Sequence, residues 1–232
     1  MTDFFRFPHT PHIAWLAAGE PREDKVLSPA EAHALLAHKV VVEEKLDGAN
    51  LGFSLDEHGE LRAQNRGQYL SDPHAGQFAR IPMWLQQHGD ALLAELTPDL
   101  IFFGEWCAAR HSLDYGALPD WFLLFDVYER SQGRFWSTAR RNALAARAGL
   151  VTVPRLFEGH TTLDALKLMV SSTPSRYRNG PLEGMVIRHE SETWCENRAK
   201  LVRPDFTQAI DTHWRKRAIE WNRVDHDAAY RN

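Results

Sequence analysis

The chain has only two cysteines in 232 residues, Cys107 and Cys195. That is too few for a disulfide framework, and their separation is not that of a zinc site, so ordinary core thiols account for them. No run of 18 apolar residues occurs, so no membrane-spanning helix is expected. The opening stretch MTDFFRFPHTPHIAW lacks the basic-then-apolar order of a secretory signal, and a cytoplasmic protein is the default expectation. No strong charge excess announces a nucleic-acid partner, since 27 Lys and Arg face 31 Asp and Glu for a net charge of −4. A local basic groove on an acidic body remains open. Internal repeats, low-complexity tracts and a convincing linker are also missing, which leaves one domain over residues 1–232 as the expectation.

The chain does carry apolar material for a sizeable core, at 44% hydrophobic and 11% aromatic residues. Ser28-Pro29-Ala30-Glu31 has the order of a helix start, with an N-cap serine, a proline at the first position and a glutamate at the third. Strands are expected over Lys39–Glu44, Ala49–Leu55, Leu61–Asn65, Leu100–Cys107, Trp121–Tyr128, Gly184–His189 and Ala199–Val202. Helices are expected to His38, over Phe78–Leu96 with Pro82 near its start, over Ser137–Ala148 with Gly149 as stop, and over Thr162–Val170. The stretch Thr207–Trp221 also reads as helical, with a loose tail after Asn222. The sum is a mixed, largely antiparallel α+β domain.

One segment resists a purely structural explanation. In VVVEEKLDGANLGFSL, residues 40–55, an apolar β-branched run leads to a lysine, Lys45, just before Asp47-Gly48. A strand, a turn and a second strand would account for it, with Lys45 on the rim. Four further segments carry fitting chemistry in a fixed order: Arg66 in QNRGQYL, then Phe103-Gly104-Glu105-Trp106, then Phe122-Leu123-Leu124-Phe125-Asp126. Last come Leu182 to Arg188 with Glu183, and Arg198 to Arg203 with Lys200. A lysine amine can attack the α-phosphorus of a nucleoside triphosphate once it is neutral, and nearby cations would lower its pKa. Arg188, Arg198, Lys200 and a bound Mg²⁺ are the expected sources of that charge. Glu105 and Glu183 are carboxylates beside apolar strand residues, where a charge is costly unless it is paired. Two structural ion pairs are the plain alternative. Basic residues concentrate late, at Arg176, Arg178, Arg188, Arg198, Lys200, Arg203, Arg215, Lys216 and Arg217, as a solvated face or as contacts to an anionic ligand.

The ordered series resembles the covalent nucleotidyltransferase superfamily of ATP-dependent DNA ligases, RNA ligases and mRNA-capping guanylyltransferases. The likeness runs from about Lys45 to Phe206. It implies a nucleotidyltransferase fold, ATP-grasp-like, with antiparallel sheets flanked by helices. By the resemblance Lys45 is the adenylylated nucleophile, Glu105 binds ribose, and Glu183 contributes to metal-assisted chemistry with Mg²⁺ or Mn²⁺. Lys200 meets the α-phosphate, and Arg66 holds the AMP phosphate or the RNA end through its guanidinium fork. Arg188 and Arg198 complete the basic set, Arg198 where RNA ligases often have lysine. Gly48 lets the backbone approach the nucleotide beside Asp47. Phe125 stacks on adenine, with Phe122 as its rival on the opposite strand face, and Glu44 or Glu43 reads the adenine amine.

Asn50 has the spacing of the bacteriophage RNA ligase 2 group, which favours RNA with 5′-phosphate and 3′-hydroxyl ends as partner and a role in RNA repair. Only 26 residues follow Phe206 in the chain of 232. They cannot form the OB barrel that ligases and capping enzymes usually append, so no C-terminal OB domain is expected. Sealing with a helper protein, or through the basic stretch 215–217, is the corresponding expectation. A DNA ligase or guanylyltransferase is the alternative within the superfamily. A catalytically inactive RNA- or nucleotide-binding module is the alternative from another class, against which Lys45, Glu105, Glu183 and Lys200 together speak. Among twelve histidines, the pairs His9/His12 and His33/His38 make no zinc signature. His111 and His189 remain as candidate phosphate contacts.

Overall fold

A computed structural model describes residues 4–19, 25–209 and 218–225. Helix α1 (Pro29–Leu36) begins with a complete capping box, in which Ser28 and Glu31 each accept from the other's backbone amide. Strand β1 (Val40–Lys45) then turns through residues 46–48 into β2 (Ala49–Leu55), followed by β3 (Leu61–Gln64). A single 3₁₀ turn (Gly76–Phe78) precedes α2 (Ile81–Glu95), with Pro82 in the first turn, where its missing N–H costs nothing. Next come β4 (Leu100–Trp106), β5 (Phe122–Glu129), β6 (Arg134–Phe135) and α3 (Thr138–Arg147). The chain continues through β7 (Val151–Thr152), β8 (Arg155–Gly159), α4 (Leu163–Ser172), β9 (Gly184–Glu190), β10 (Cys195–Val202) and α5 (Pro204–Ala209).

The strands form two sheets. One has the order β10-β9-β1-β8 and is antiparallel throughout. The other runs β3-β2-β4-β5-β6, antiparallel, with β7 added parallel to β5. Neither closes into a barrel among the described residues, and the mixed architecture of antiparallel sheets flanked by helices agrees with the expected class.

Strand alternation explains how the first sheet acquires one apolar and one chemical face. Val40, Val42, Met185, Ile187, Ala199 and Leu201 pack with Leu35 of α1 and Leu166 and Val170 of α4. The intervening residues, Glu43, Lys45, Val186, Arg188, Arg198 and Lys200, fall on the other face. In the second sheet Leu51, Phe53, Phe102, Trp106, Phe122 and Leu124 pack against α2 and α3.

Three sequence expectations are corrected. Strands β6, β7 and β8 were not foreseen, and β10 begins at Cys195 rather than Ala199. Of the expected helix over Thr207–Trp221, residues 207–209 belong to α5 and residues 210–217, including Arg215, Lys216 and Arg217, lie outside the described residues, while Trp221 makes a bridge to Ala109. Of the tail expected to be loose after Asn222, Arg223 and Asp225 are hydrogen-bonded through their amides to Tyr115 and Leu118, and residues 226–232 lie outside the described residues.

Candidate active site

The chemical faces of the two sheets enclose a cavity of about 590 Å³. Glu43, Glu44, Lys45, Gly48, Asn50, Arg66, Glu105, Phe125, Arg188 and Arg198 all line it, as do Phe7, Asp126 and His111. Residues from positions 7 to 198 of the chain are thus brought to one place.

Lys45 ends β1, opposite Gly184 of β9, which sets Glu183 beside it. Its Nζ donates to Glu183 Oε1 at 2.6 Å, with the lysine side chain 29% exposed and the glutamate 5%. Burial works to lower the lysine's pKa, but Glu183 and Glu105 outweigh it and hold the group above its ordinary value. The expectation that Arg188, Arg198 and Lys200 depress Lys45 is therefore corrected, because the charges that act on it most are acidic. Burial pushes Glu105 up to about 7 against the pull of Lys45 and of the Gly48 amide, which donates to it at 2.9 Å. Burial likewise pushes Glu183 up to about 8. Three carboxylates, those of Asp47, Glu105 and Glu183, act on one ammonium. The charge of Asp47 adds to burial in raising both Glu105 and Glu183.

The opposite wall is a closed ion network. Arg141 of α3 grips Glu43 bidentately, at 2.6 and 3.1 Å, and donates to the Phe125 carbonyl at 2.6 Å. Arg188 pairs with Asp126 at 2.8 Å and Glu190 at 2.7 Å. Arg198 also pairs with Asp126 and lies over the rings of Phe7 and Phe135. Both arginines expected to meet phosphate are thus held by an internal carboxylate. Glu43 is occupied by Arg141, and Glu44 accepts from Ser175 Oγ at 2.6 Å and the Arg176 amide at 2.9 Å.

Phe125 and Phe122 separate cleanly. Phe122 is fully buried in the large core, edge-on to Phe53 and tilted against Trp84, and its ring lies where a side chain on Gly104 would be. Phe125 is at the cavity, edge-on to Phe7 at 5.3 Å. A β-bulge between β4 and β5 breaks the alternation, since Phe103 pairs with Asp126 but Gly104 pairs with Leu124. The extra residue lets Phe125 and Asp126, adjacent in sequence, both reach the cavity. Asp126 is the functional candidate to which sequence reasoning gave no role, and only the bulge reveals it.

Several expected residues take other positions. Asp47 is not in the cavity lining. Its Oδ2 accepts from the amides of Ser112 and Leu113 at 2.7 Å each, so it fixes a loop. Gly48 lines the cavity, but the need for glycine there is packing, because a Cβ would sit 2.6 Å from the Trp106 carbonyl oxygen. Lys200 shares a sheet face with Arg198 but does not line the cavity. His111 is at the cavity and bonded to Gln77 at 2.7 Å, whereas His189 stacks on His38 at 3.9 Å, outside it.

Four buried polar atoms here have no hydrogen bond: Asn50 Oδ1, Arg66 Nε, Glu183 Oε2 and Asp126 Oδ1, the last still ion-paired with Arg188 at 2.8 Å. Leaving such atoms bare is costly, and a polar ligand would satisfy them. No group of three or more His, Cys, Asp or Glu among the described residues could hold a metal by itself. A hard divalent cation that keeps several waters and takes one carboxylate oxygen plus phosphate oxygens fits the bare Glu183 Oε2 and the excess of negative charge.

A family model described as RNA ligase matches residues 38–202 of the chain. Among solved structures the chain is similar to RNA ligase of Naegleria gruberi. A variant of that protein with AMP and Mn gives a TM-score of 0.59 at 16% identity, covering 88% of this chain and 63% of the other. A complex with PPi gives 0.57 at 17% identity, covering 91% and 65%. A variant with ATP and Mn gives 0.56 at 17%, covering 76% and 53%. The chain spans about half to two thirds of the length of these structures. At this identity the likeness carries the fold. No curated protein matches the chain.

Proposed function

Because the chain belongs to the RNA ligase family, we propose that it seals RNA ends through a covalent lysyl-AMP, with Lys45 as nucleophile and ATP as the AMP donor. The observation that carries this reading is the 2.6 Å bond from Lys45 Nζ, at the cavity, to the buried Glu183 just behind its lining. Glu183 in its carboxylate form, bonded to Nζ at 2.6 Å, is within reach to take a lysine proton. Once neutral, the Lys45 amine attacks the α-phosphorus. A P–N bond forms, the P–O bond to pyrophosphate breaks, and the lysine's second proton is lost to solvent. AMP then passes to an RNA 5′-phosphate, and a 3′-hydroxyl displaces it.

Arg66 and Asn50 supply the donor and acceptor for phosphate and ribose, with Glu105 beside them. Phe125 offers a ring face to the adenine. Glu44, held by Ser175, lies where an exocyclic amine can be read. Mg²⁺ or Mn²⁺, met by Glu183 Oε2, would neutralise phosphate charge as pyrophosphate leaves. The Naegleria gruberi protein was solved with ATP, AMP and Mn, which supports the same ligands here.

The test is label transfer from α-³²P-ATP to the protein with Mg²⁺, parallel to α-³²P-GTP, followed by denaturation. ATP label should persist on the protein, and Lys45→Met should lower it at least about a thousandfold. Normal labelling of Lys45→Met would sink the nucleophile assignment, and preferential labelling by GTP would point to a capping-type guanylyltransferase. Nicked duplexes with RNA or DNA on each side of the break then distinguish RNA from DNA sealing, and sealing by the chain alone shows whether a helper protein is needed.

A further inference from the structure

The family match ends at residue 202, yet residues 218–225 are built into the surroundings of the site. Asn222 is 5% exposed. Its backbone amide donates to the Ala108 carbonyl at 2.9 Å, and its side-chain amide donates to the Cys107 carbonyl at 2.8 Å. Its Oδ1 accepts from the Tyr115 amide at 3.0 Å. Arg223 donates to the Tyr115 carbonyl at 3.2 Å, and the Asp225 amide to that of Leu118 at 2.8 Å. Trp221 bridges to Ala109, and its ring lies 4.1 Å from the guanidinium of Arg80, just after the 3₁₀ turn whose Gln77 and Phe78 line the cavity.

The loop so clamped, residues 107–118, follows β4 directly after Glu105 and holds the turn that carries the nucleophile. The Asp47 amide donates to Tyr115 Oη at 2.8 Å, and Asp47 Oδ2 accepts from the amides of Ser112 and Leu113. Tyr115 therefore touches Asn222 with its backbone and Asp47 with its hydroxyl. It is 2% exposed, so the link runs through packed protein and not through solvent.

We propose that residues 218–225 form a strap that positions the nucleophile: Asn222 fixes the loop 107–118, and Tyr115 passes that order to the turn at Asp47 next to Lys45. Asn222 and Tyr115 are positioning residues, since neither lines the cavity. The kinetic part rests on Lys45 being adenylylated, as proposed above. The clamp itself does not.

The test uses the full chain and two variants. Asn222→Ala removes the side-chain clamp, and Tyr115→Phe removes only the oxygen that meets the Asp47 amide. Amide hydrogen exchange in Asn222→Ala is read at Asp47, which Asn222 does not touch, and in Tyr115→Phe at Ser112 and Leu113. Exchange should quicken by about tenfold or more at these amides while the strands of the β10-β9-β1-β8 sheet keep their protection. Label transfer from α-³²P-ATP should slow by about 10–100-fold in both variants at saturating ATP, with the KM for ATP changed less than about threefold, as misplacement of a nucleophile requires. Unchanged exchange at these amides overturns the clamp. Faster exchange with an unaltered transfer rate overturns the positioning role. A wild-type chain that takes up no label counts against the ligase reading alone, and exchange then decides the strap. Should Asn222→Ala not fold, Asn222→Asp, which keeps the acceptor for the Tyr115 amide and loses the donor to the Cys107 carbonyl, is read by the same two measurements with the same deciding outcomes.

Discussion

On one wall of the cavity Glu43, Asp126 and Glu190 meet Arg141, Arg188 and Arg198, three charges against three, each paired within the protein. At the other wall Glu105 and Glu183, with Asp47 behind the lining, act on the one ammonium of Lys45, and Glu183 Oε2 has no hydrogen bond, whereas Asp126 Oδ1 has its ion pair to Arg188. Both walls are buried, so both must balance charge to be stable. The first does so internally and forms scaffold: it fixes the backbone of Phe125 and joins α3 to the first sheet. The second is balanced only when something positive arrives or protons are retained. A buried wall that is complete and one that is incomplete are both rich in charge, and only the second is poised to react.

Breaking the complete wall should have the largest effect on stability. Asp126→Ala leaves Arg188 and Arg198 buried without their shared carboxylate and should cost about 3–5 kcal/mol, read as a lower urea midpoint. If the midpoint scarcely moves, the network is not the scaffold argued here. The two phenylalanines sharpen the same contrast between frame and site. Phe122→Ala should cost about 3–5 kcal/mol of stability through the cavity it leaves. Phe125→Ala should leave most of that stability intact and weaken nucleotide binding by about 1–3 kcal/mol, measured as the ATP concentration needed for half-maximal labelling. A reversal of these two outcomes would exchange their roles.

The incomplete wall should show itself in pH dependence without added divalent cation. Glu105 and Glu183 hold protons up to about 7 and about 8 in the folded chain, against 4.5 as the ordinary value. The unfolded chain binds fewer protons between those limits. The stability they contribute is therefore complete below pH 4.5 and is lost as pH rises to about 8. Glu183→Gln should flatten that slope, raising Tm at pH 8 relative to pH 5 by roughly 3–6 °C against the parent, as followed by calorimetry. Lys45 is raised as well, but its own loss falls above its ordinary value and outside this window. An identical slope in the variant would show that Glu183 titrates normally.

Much of this could be read from the chain because it depends on local order. The Ser28–Glu31 capping box, the strand-turn-strand around Lys45 and the helix behind Ser137 are decided by neighbours in sequence. Lys45, Glu105 and Glu183 were brought together by the order of their motifs, and they do meet. What was not legible depends on pairing between distant segments. The bulge that turns both Phe125 and Asp126 to the cavity exists only in the β4–β5 register. Strand β8, RLFEG, is a half-exposed edge strand without clear alternation. The upward shift of Lys45 is not legible in the sequence because it depends on Glu183 and Glu105 packing beside it, while Arg188 and Arg198 are engaged by Asp126. Asn222 carries no motif at all, and its importance comes from where it docks.

Lys45 is the last residue of β1, and β2 begins at Ala49, so only residues 46–48 separate the two sheets along the chain. Gly48 there is pressed against Trp106, a residue of the second sheet, while Lys45 pairs with Gly184 in the first. Whatever becomes bonded to Nζ is thus tethered at a seam. Both halves of the molecule would register its arrival directly, without any relay of intervening residues, and a probe on either would serve to count loaded molecules.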